Sequence, residues 1–247
     1  MSDAMNVAII GSHGRMGTAL QACATAQGIG VTGAIDEGDD PTNAIHDADV
    51  VIDFSHHSAT MEIARLCAHY GTPLVIGTTG HSEEERNSIL SFTVEIPVVW
   101  SGNYSSGVNL LFYLTRQAAK TTGTEFHAEV IEMHHQYKVD APSGTAEGLV
   151  KAIKEGRHTR DYKVTHGRSG IVGARTEDEI GVHSIRGGSI VGEHTVILVS
   201  ENERIELTHK ALDRSIFAEG AMKAAKWLRG KEPGLYEMLD VLGLNEG

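Results

Sequence analysis

Asn6-Val-Ala-Ile-Ile-Gly-Ser-His-Gly-Arg-Met-Gly17 is a short apolar run that stops at a cluster of three glycines, after which apolar residues return at helical spacing from Thr18 to Gln27. An apolar run without polar alternation suits a strand buried on both faces, as in a parallel sheet. Strand, glycine turn and helix in that order are the context of a dinucleotide fingerprint. The glycines stand at the first, fourth and seventh positions of the turn, not the first, third and sixth of the usual Rossmann spelling, so ordinary glycine turns compete with this reading. Backbone N–H groups from Gly11 to Met16, through Ser12, His13, Gly14 and Arg15, are the candidate cradle for a pyrophosphate. Gly17 is assigned to helix packing.

Val31–Ile35 reads as the second strand and ends at Asp36, 19 residues after Gly17, where a carboxylate that bonds an adenosine ribose is expected. Glu37 follows and no arginine is near. A 2'-phosphate would meet two acids there, which favours NADH over NADPH. Arg15 keeps the alternative open, because its guanidinium can stack on adenine or reach a 2'-phosphate.

Further on, 47–54 reads as a third strand and 59–70 as a helix stopped by Gly71, with Ser55 to Ser58 as cap and loop. Pro73–Ile76 is a buried strand followed by Gly77-Thr78-Thr79-Gly80, and a glycine-threonine loop at a strand's carboxyl end is a cofactor or substrate lip in open α/β sheets. Ser82 and Glu85 spell a capping box. Ile96–Trp100 is the next strand, Ser101-Gly102-Asn103-Tyr104 opens the loop after it, and 109–120 reads as an amphipathic helix with Leu110, Leu111, Leu114 and Ala118 on its packing side.

The densest chemistry lies in Glu129-Val-Ile-Glu-Met-His-His-Gln-Tyr-Lys-Val-Asp-Ala-Pro-Ser-Gly-Thr145. The apolar run to Met133 predicts a strand, and 134–140 is predicted as a loop because Pro142-Ser143-Gly144 forbids a continuous helix. Thr145 opens a helix through Ala152. Its N-terminus, behind a glycine turn, offers N–H groups to an anion. Lys138, His135 and the Ser143-Gly144-Thr145 turn can converge on the carboxylates of a small dianion. His134 and Lys138 are candidate proton donors opposite a hydride, and spacing does not choose between them. Asp140 reads as a loop brace that orients a neighbouring cation.

The run Glu-Met-His-His-x-x-x-Lys-Val-Asp-Ala-Pro-Ser-Gly-Thr-Ala closely resembles the signature of the 4-hydroxy-tetrahydrodipicolinate reductases, NAD(P)H-dependent enzymes of the diaminopimelate route to lysine. Gly-x-x-Gly-Arg-Met-Gly and Asn-aromatic-Ser-x-Gly-Val-Asn, read here from Gly11 and Asn103, resemble the same family. The resemblance implies His134 as acid or base, Lys138 as proton donor, His135 as a substrate contact, and Gly144 with Thr145 as a carboxylate cradle. It also implies that Gly77, Thr78 and Thr79 lie near the nicotinamide, that Ser101, Gly102, Asn103 and Tyr104 contact cofactor, and that the chain forms a homotetramer through its substrate domain. Arg186-Gly-Gly, Gly192-Glu-His194 and Thr208-His-Lys210 recur in the family as well, and strands facing a partner subunit would use similar residues.

From Glu125 alternating runs at 126–133, 180–185, 189–200 and 203–209 predict strands, with 155–179 loop-like or mobile. A helix at 214–229 has Ile216, Phe217, Ala221, Ala224, Ala225 and Leu228 on its apolar side. The fold class expected is α/β. A Rossmann-like parallel sheet domain, 1–103 with 214–247, carries an inserted α+β domain with a mixed sheet, 104–213, for substrate and oligomerisation. Two chain crossings would then hinge the histidine-lysine loop over the cofactor.

The 247 residues carry a net charge of −12, which disfavours nucleic acid as a partner, so attraction of a dianion must be local, at His134, His135 and Lys138 with Arg186 or Lys210. No apolar stretch nears the roughly 18 residues of a membrane span, and no signal-peptide pattern is seen, so no membrane partner and a cytoplasmic location are expected. Cys23 and Cys67 imply buried thiols and no disulfide framework. Fourteen histidines invite a metal, but adjacent His134 and His135 diverge from an extended chain, so none is expected. Two other readings remain: a nicotinamide-dependent reductase of another small dicarboxylate or imine, and a non-catalytic dinucleotide sensor, which would need no proton donor.

Overall fold

A computed structural model describes residues 5–158 and 161–244. The chain divides into two compact units, one containing the described residues through Ser106 and those from Arg214 onward, the other Gly107–Asp213.

In the first unit β1 (Asn6–Ile10), α1 (Arg15–Gln27), β2 (Gly30–Ile35), α2 (Thr42–His46), β3 (Val50–Asp53), α3 (His57–Tyr70), β4 (Leu74–Ile76), α4 (Glu83–Leu90), a 3-10 turn (Ser91–Val94) and β5 (Pro97–Trp100) follow in order. After α5 (Ser106–Thr122), the second unit holds β6 (His127–His134), α6 (Gly144–Gly156), β7 (Lys163–His166), β8 (Glu179–Arg186), β9 (Gly192–Val199) and β10 (Arg204–Ala211). The chain then returns as α7 (Ser215–Leu228), β11 (Gly234–Tyr236) and α8 (Met238–Val241).

The first sheet is parallel throughout, in the order β11-β5-β4-β3-β1-β2. Because successive side chains of a strand point to opposite faces, one apolar run feeds two cores. Val7, Ile9, Val50, Ile52, Val75 and Val99 pack with α1 and α7, whereas Ala8, Ile10, Val51, Leu74, Ile76 and Val98 pack with α2, α3 and α4. Punctuation is local. His56 caps α3 by accepting the Ser58 N–H, Gly71 ends it at φ 69°, and Ser82 and Glu85 form the capping box of α4.

The second sheet is mixed, in the order β10-β9-β6-β8-β7, with β6–β8 and β7–β8 parallel and the other pairs antiparallel. Leu111 and Ala119 of α5 and Leu149 and Ile153 of α6 share its core with Val130, Ile180 and Val196. Ile185 and Ile205 are exposed. No helix among the described residues is long and apolar enough to cross a membrane. Cys67 is buried and Cys23 half-buried, both as free thiols.

Several expectations are corrected. His134 belongs to β6 and not to the loop, because it pairs across the ladder with Arg186 and accepts the Gly187 N–H at 3.0 Å. α5 starts at Ser106 and buries Val108, Leu111, Thr115 and Ala119; of the predicted packing residues Leu111 and Ala118 pack against the core, while Leu110 and Leu114 are exposed. The segment predicted as loop contains β7, an edge strand held parallel to β8; Thr159 and Arg160 of that segment lie outside the described residues. The tail supplies a sixth strand, β11, whose three residues are too few for a pattern to reveal.

Gly220 sits inside α7 because a Cβ there would lie 1.7 Å from the carbonyl oxygen of Tyr104. Gly220→Ala gains about 1 kcal/mol of helix propensity but forces a backbone shift costing about 1–3 kcal/mol or more. The contact wins, and a lower Tm by calorimetry is the expected outcome.

Candidate active site

In the first unit the glycine turn is built by close approach. Gly11 holds φ 80°, where a Cβ would lie 2.4 Å from the Phe54 carbonyl oxygen, and a Cβ on Gly17 would lie 2.2 Å from the Gly11 oxygen. The turn also consumes much of its own N–H supply. Gly11 and Ser12 donate to the Ile35 carbonyl at 2.9 and 3.0 Å, His13 to Asp36 Oδ2 at 2.7 Å, and Gly14 to the Gly11 carbonyl at 3.2 Å. The first helical bond runs from Thr18 N–H to Gly14 O, and no side chain caps the helix at Gly14. Arg15, Met16 and Gly17 therefore form the uncapped first turn of α1, the arrangement that accepts an anion. Ser12 Oγ is buried without a hydrogen-bond partner among the described residues. A pyrophosphate fits this turn.

Asp36 caps the end of β2. Its carboxylate accepts the His13 and Glu37 N–H groups, at 2.7 and 2.9 Å, and these two bonds hold its pKa below the usual range. With Glu37, Asp39 and Asp40 it makes an acidic margin. Gly77 is required because a Cβ would strike the Phe54 ring at 2.2 Å, and Thr78 is buried with its hydroxyl donating to Asp53 O at 3.3 Å. Thr79 is exposed. Ser101 Oγ closes a turn on Asn103, donating to its carbonyl at 2.8 Å and accepting its N–H at 3.2 Å; Gly102 is exposed. Tyr104, expected as a cofactor contact, has its side chain engaged within the unit. Its side chain is fully buried, and its hydroxyl lies 2.7 Å from Ile76 O and 3.0 Å from Val99 O, tying β4 to β5.

In the second unit the centre is Glu132, which has no solvent exposure and which the sequence reading left without a role. Strand periodicity puts Glu132 and His134 on one face of β6, opposite Ser184 and Arg186 of β8. Glu132 receives His134 Nδ1 at 2.6 Å, a two-pronged contact from Arg186 at 2.7 and 2.8 Å, and the Ser143 N–H at 3.2 Å. Burial is the largest influence on Glu132 and opposes ionisation. Hydrogen bonds from Arg186, Ser184 and His134 outweigh it and bring the pKa down to about 2.

Around this carboxylate the predicted residues assemble. Ser143 is the N-cap of α6, accepting the Ala146 N–H at 3.2 Å while its hydroxyl meets buried His194 Nε2 at 3.0 Å. Gly144 begins the helix with open space at its Cα, and Thr145 follows in the first turn. Lys138 Nζ donates to Asp140 at 2.8 Å, so Asp140 braces a cation as expected. Arg186 also reaches the Asp140 carbonyl, at 2.7 Å, and so stands in the cluster. Lys210 does not: it is largely exposed and pairs with Glu193 at 3.3 Å. His135 adjoins the cluster from the loop, with its ring 6.3 Å from that of Tyr137.

Burial lowers the pKa of His134, against the raising effect of Glu132, with Lys138 and Arg186 adding to the lowering. His194 is pushed down to about 4 by burial and by neighbouring His134, whose ring is 5.1 Å away. Both imidazoles are neutral at pH 7. Glu132, Arg186 and His194 are the elements that sequence reasoning under-weighted; the Glu-x-His spacing, i and i+2 on a strand, was the available signal. Among the described residues no group of three or more His, Cys, Asp or Glu is placed to hold a metal ion.

A parallel sheet with a glycine turn opening its first helix, in a chain whose other unit presents clustered cations, is the architecture of a nicotinamide-dependent oxidoreductase. Comparison with known proteins makes this specific. Family models described as "Dihydrodipicolinate reductase, N-terminus" and "Dihydrodipicolinate reductase, C-terminus" match residues 5–104 and 107–242, and the chain belongs to that family. It is 49% identical over 245 residues to the 4-hydroxy-tetrahydrodipicolinate reductase of Akkermansia muciniphila, covering 98% of this chain and 99% of that one. It is 46% identical over 264 residues to the enzyme of the same name from Anaeromyxobacter sp. (strain Fw109-5), covering 97% and 98%. In fold it is similar to a dipicolinate-bound dihydrodipicolinate reductase from Paenisporosarcina sp. TG-14, with TM-score 0.74 and 23% identity over 96% of this chain and 98% of that chain.

A depressed folded pKa means stability present above the unfolded value and lost as pH falls through the folded one. For His194 the window runs from about 6.5 down to about 4. The loss across it is on the order of 3 kcal/mol. Urea midpoints should fall over that window, and His194→Gln should flatten the slope there.

Proposed function

We propose that this chain reduces 4-hydroxy-tetrahydrodipicolinate to tetrahydrodipicolinate and water at the expense of a reduced nicotinamide cofactor, in the diaminopimelate route to lysine. The observation that carries the reading is the convergence, in one unit, of His134, Arg186 and the entry of α6 on the buried Glu132 carboxylate, with Lys138 acting electrostatically on that same His134. Family membership supports it independently.

The net reaction takes up one hydride and one proton and releases one water. The cofactor, when bound, supplies the hydride. In the first unit the uncapped turn at Arg15, Met16 and Gly17 is the seat proposed for its pyrophosphate, with Gly11, Ser12, His13 and Gly14 shaping that turn. Gly77, Thr78 and Thr79 and the Ser101-Gly102-Asn103 turn are proposed to border the nicotinamide half. Tyr104 supports that border from beneath. Asp36, in its acidic margin, is proposed to accept the ribose hydroxyls, and the margin repels a 2'-phosphate, which supports NADH over NADPH.

In the second unit Gly144 and Thr145, with Ser143 holding the cap, are proposed to receive one substrate carboxylate, and His135 to bond the substrate from the loop. His134, neutral at pH 7, suits a base better than an acid. Lys138, an ammonium braced by Asp140, is the group proposed to deliver the proton. The sheet face turned away from α5 and α6, which bears exposed Ile185, is where a second copy of the chain would associate, toward a homotetramer, and a cytoplasmic location fits such a biosynthetic role.

Lys138→Ala should lower kcat roughly 100-fold or more if it supplies general-acid catalysis. Turnover followed by loss of reduced-nicotinamide absorbance checks this, and wild-type kcat in the variant would remove Lys138 from the mechanism. In the same assay kcat/KM should favour NADH over NADPH, and Asp36→Ala should narrow the difference.

A further inference from the structure

We infer that Glu132 is a positioning residue: it fixes the tautomer and orientation of His134 and ties that imidazole to the N-cap of α6, so that base and carboxylate cradle are set by one buried carboxylate. The inference rests on the proposed reductase reading and adds to it a residue in which neither oxygen is open to substrate.

The geometry is specific. At 2.6 Å, with Glu132 ionised, the hydrogen between the two residues belongs to His134 Nδ1, since a carboxylate can only accept. Nε2 is then the nitrogen left with a lone pair. That edge of the ring faces Gly192, where a Cβ would lie 3.1 Å from Nε2, so the glycine leaves room for the ring to be held in this pose. Oε1 of the same carboxylate accepts the Ser143 N–H at 3.2 Å, one residue before the helix start that is proposed to take the substrate anion. Arg186 grips both oxygens and prevents the carboxylate from turning. A single rigid group thereby sets the distance between the proposed base and the proposed anion seat.

The electrostatic surroundings of His134 come from four directions. Glu132 lies on its own strand, Arg186 on β8, His194 on β9, and Lys138 with Asp140 in the loop that follows β6. Of these, Glu132 is the group that favours the protonated imidazole by direct hydrogen bonding, while burial, Lys138 and Arg186 oppose it. Replacing the carboxylate by an amide removes that support. An amide N–H can also donate to Nδ1 and so stabilise the opposite tautomer, with the hydrogen on Nε2.

Two measurements test the inference. In 15N-histidine-labelled wild-type protein, with the His134 signals identified by their loss in His134→Gln, Nδ1 should be the protonated nitrogen near pH 7.5; protonation at Nε2 instead overturns the inference whether or not any Glu132 variant folds. In steady-state kinetics Glu132→Gln should lose about 100-fold or more in kcat and move the acidic limb of kcat/KM to lower pH by about one unit. KM for the cofactor should not change, because Glu132 touches none of the residues proposed to hold it. Glu132→Asp should restore the acidic limb and at least a tenth of wild-type kcat. A folded Glu132→Gln enzyme with an unshifted limb, or with kcat within fivefold of wild type, overturns the positioning role. The parent reading fails separately: it falls only if His134→Gln and Lys138→Ala also turn over like wild type.

Discussion

A carboxylate with no access to water is the constraint on which the second unit depends. Removing such a charge from solvent costs several kcal/mol, and leaving it unpaired would cost more than most single contacts return. Glu132 is tolerated because Arg186 meets both its oxygens and because His134, Ser184 and the Ser143 N–H occupy the remaining positions. Those partners belong to β6, to β8 and to the entry of α6. The pairing of His134 with Arg186 in the ladder is the same register that brings Glu132 opposite Ser184, so a one-residue slip would undo both the sheet and the ion pair.

A similar economy operates in the first unit, with a different acid. Asp53, fully buried at the end of β3, accepts from the Ser55 backbone and hydroxyl and from the Thr60 hydroxyl, while its own carbonyl receives Thr78. Beside it, Tyr104 joins the ends of β4 and β5. The loops at the carboxyl edge of the parallel sheet are thus anchored by buried polar groups as well as by the Phe54 and Tyr104 rings. Loops need such anchors because they cannot satisfy their backbone within a ladder.

How much of this was legible follows from the range of each signal. The strands β1, β4 and β5 could be read because unbroken apolar runs between glycine and proline have few other meanings, and the caps at Ser82 and Gly71 because their chemistry is local. The sites for His134, Lys138, Ser143 and Gly144 were visible as a dense polar segment. What the sequence did not expose depends on partners far along the chain. β7 exists through its pairing with β8, β11 through its pairing with β5, and the buried face of α5 was misjudged because Leu110 and Leu114 are as apolar as the residues that do pack. Glu132 went unread for a related reason: a carboxylate in a strand looks solvated until its arginine, 54 residues away, is placed beside it. Likewise Tyr104 looked available until its hydroxyl was found bonded to two carbonyl groups.

The order in which the elements leave the ribosome matters for a fold whose first unit is interrupted at Ser106 and resumed at Arg214. Ala218, Ala221, Met222, Ala225 and Leu228 of α7 belong to the same core as Val7, Ile9, Val50 and Ile52. The earliest strands therefore wait for more than a hundred later residues before that core can close, whereas the interrupting unit is contiguous and can fold as soon as it is synthesised. Nascent chains should acquire protease resistance in the middle of the polypeptide first, and an arrested product ending before α7 would present the bare side of a parallel sheet to chaperones.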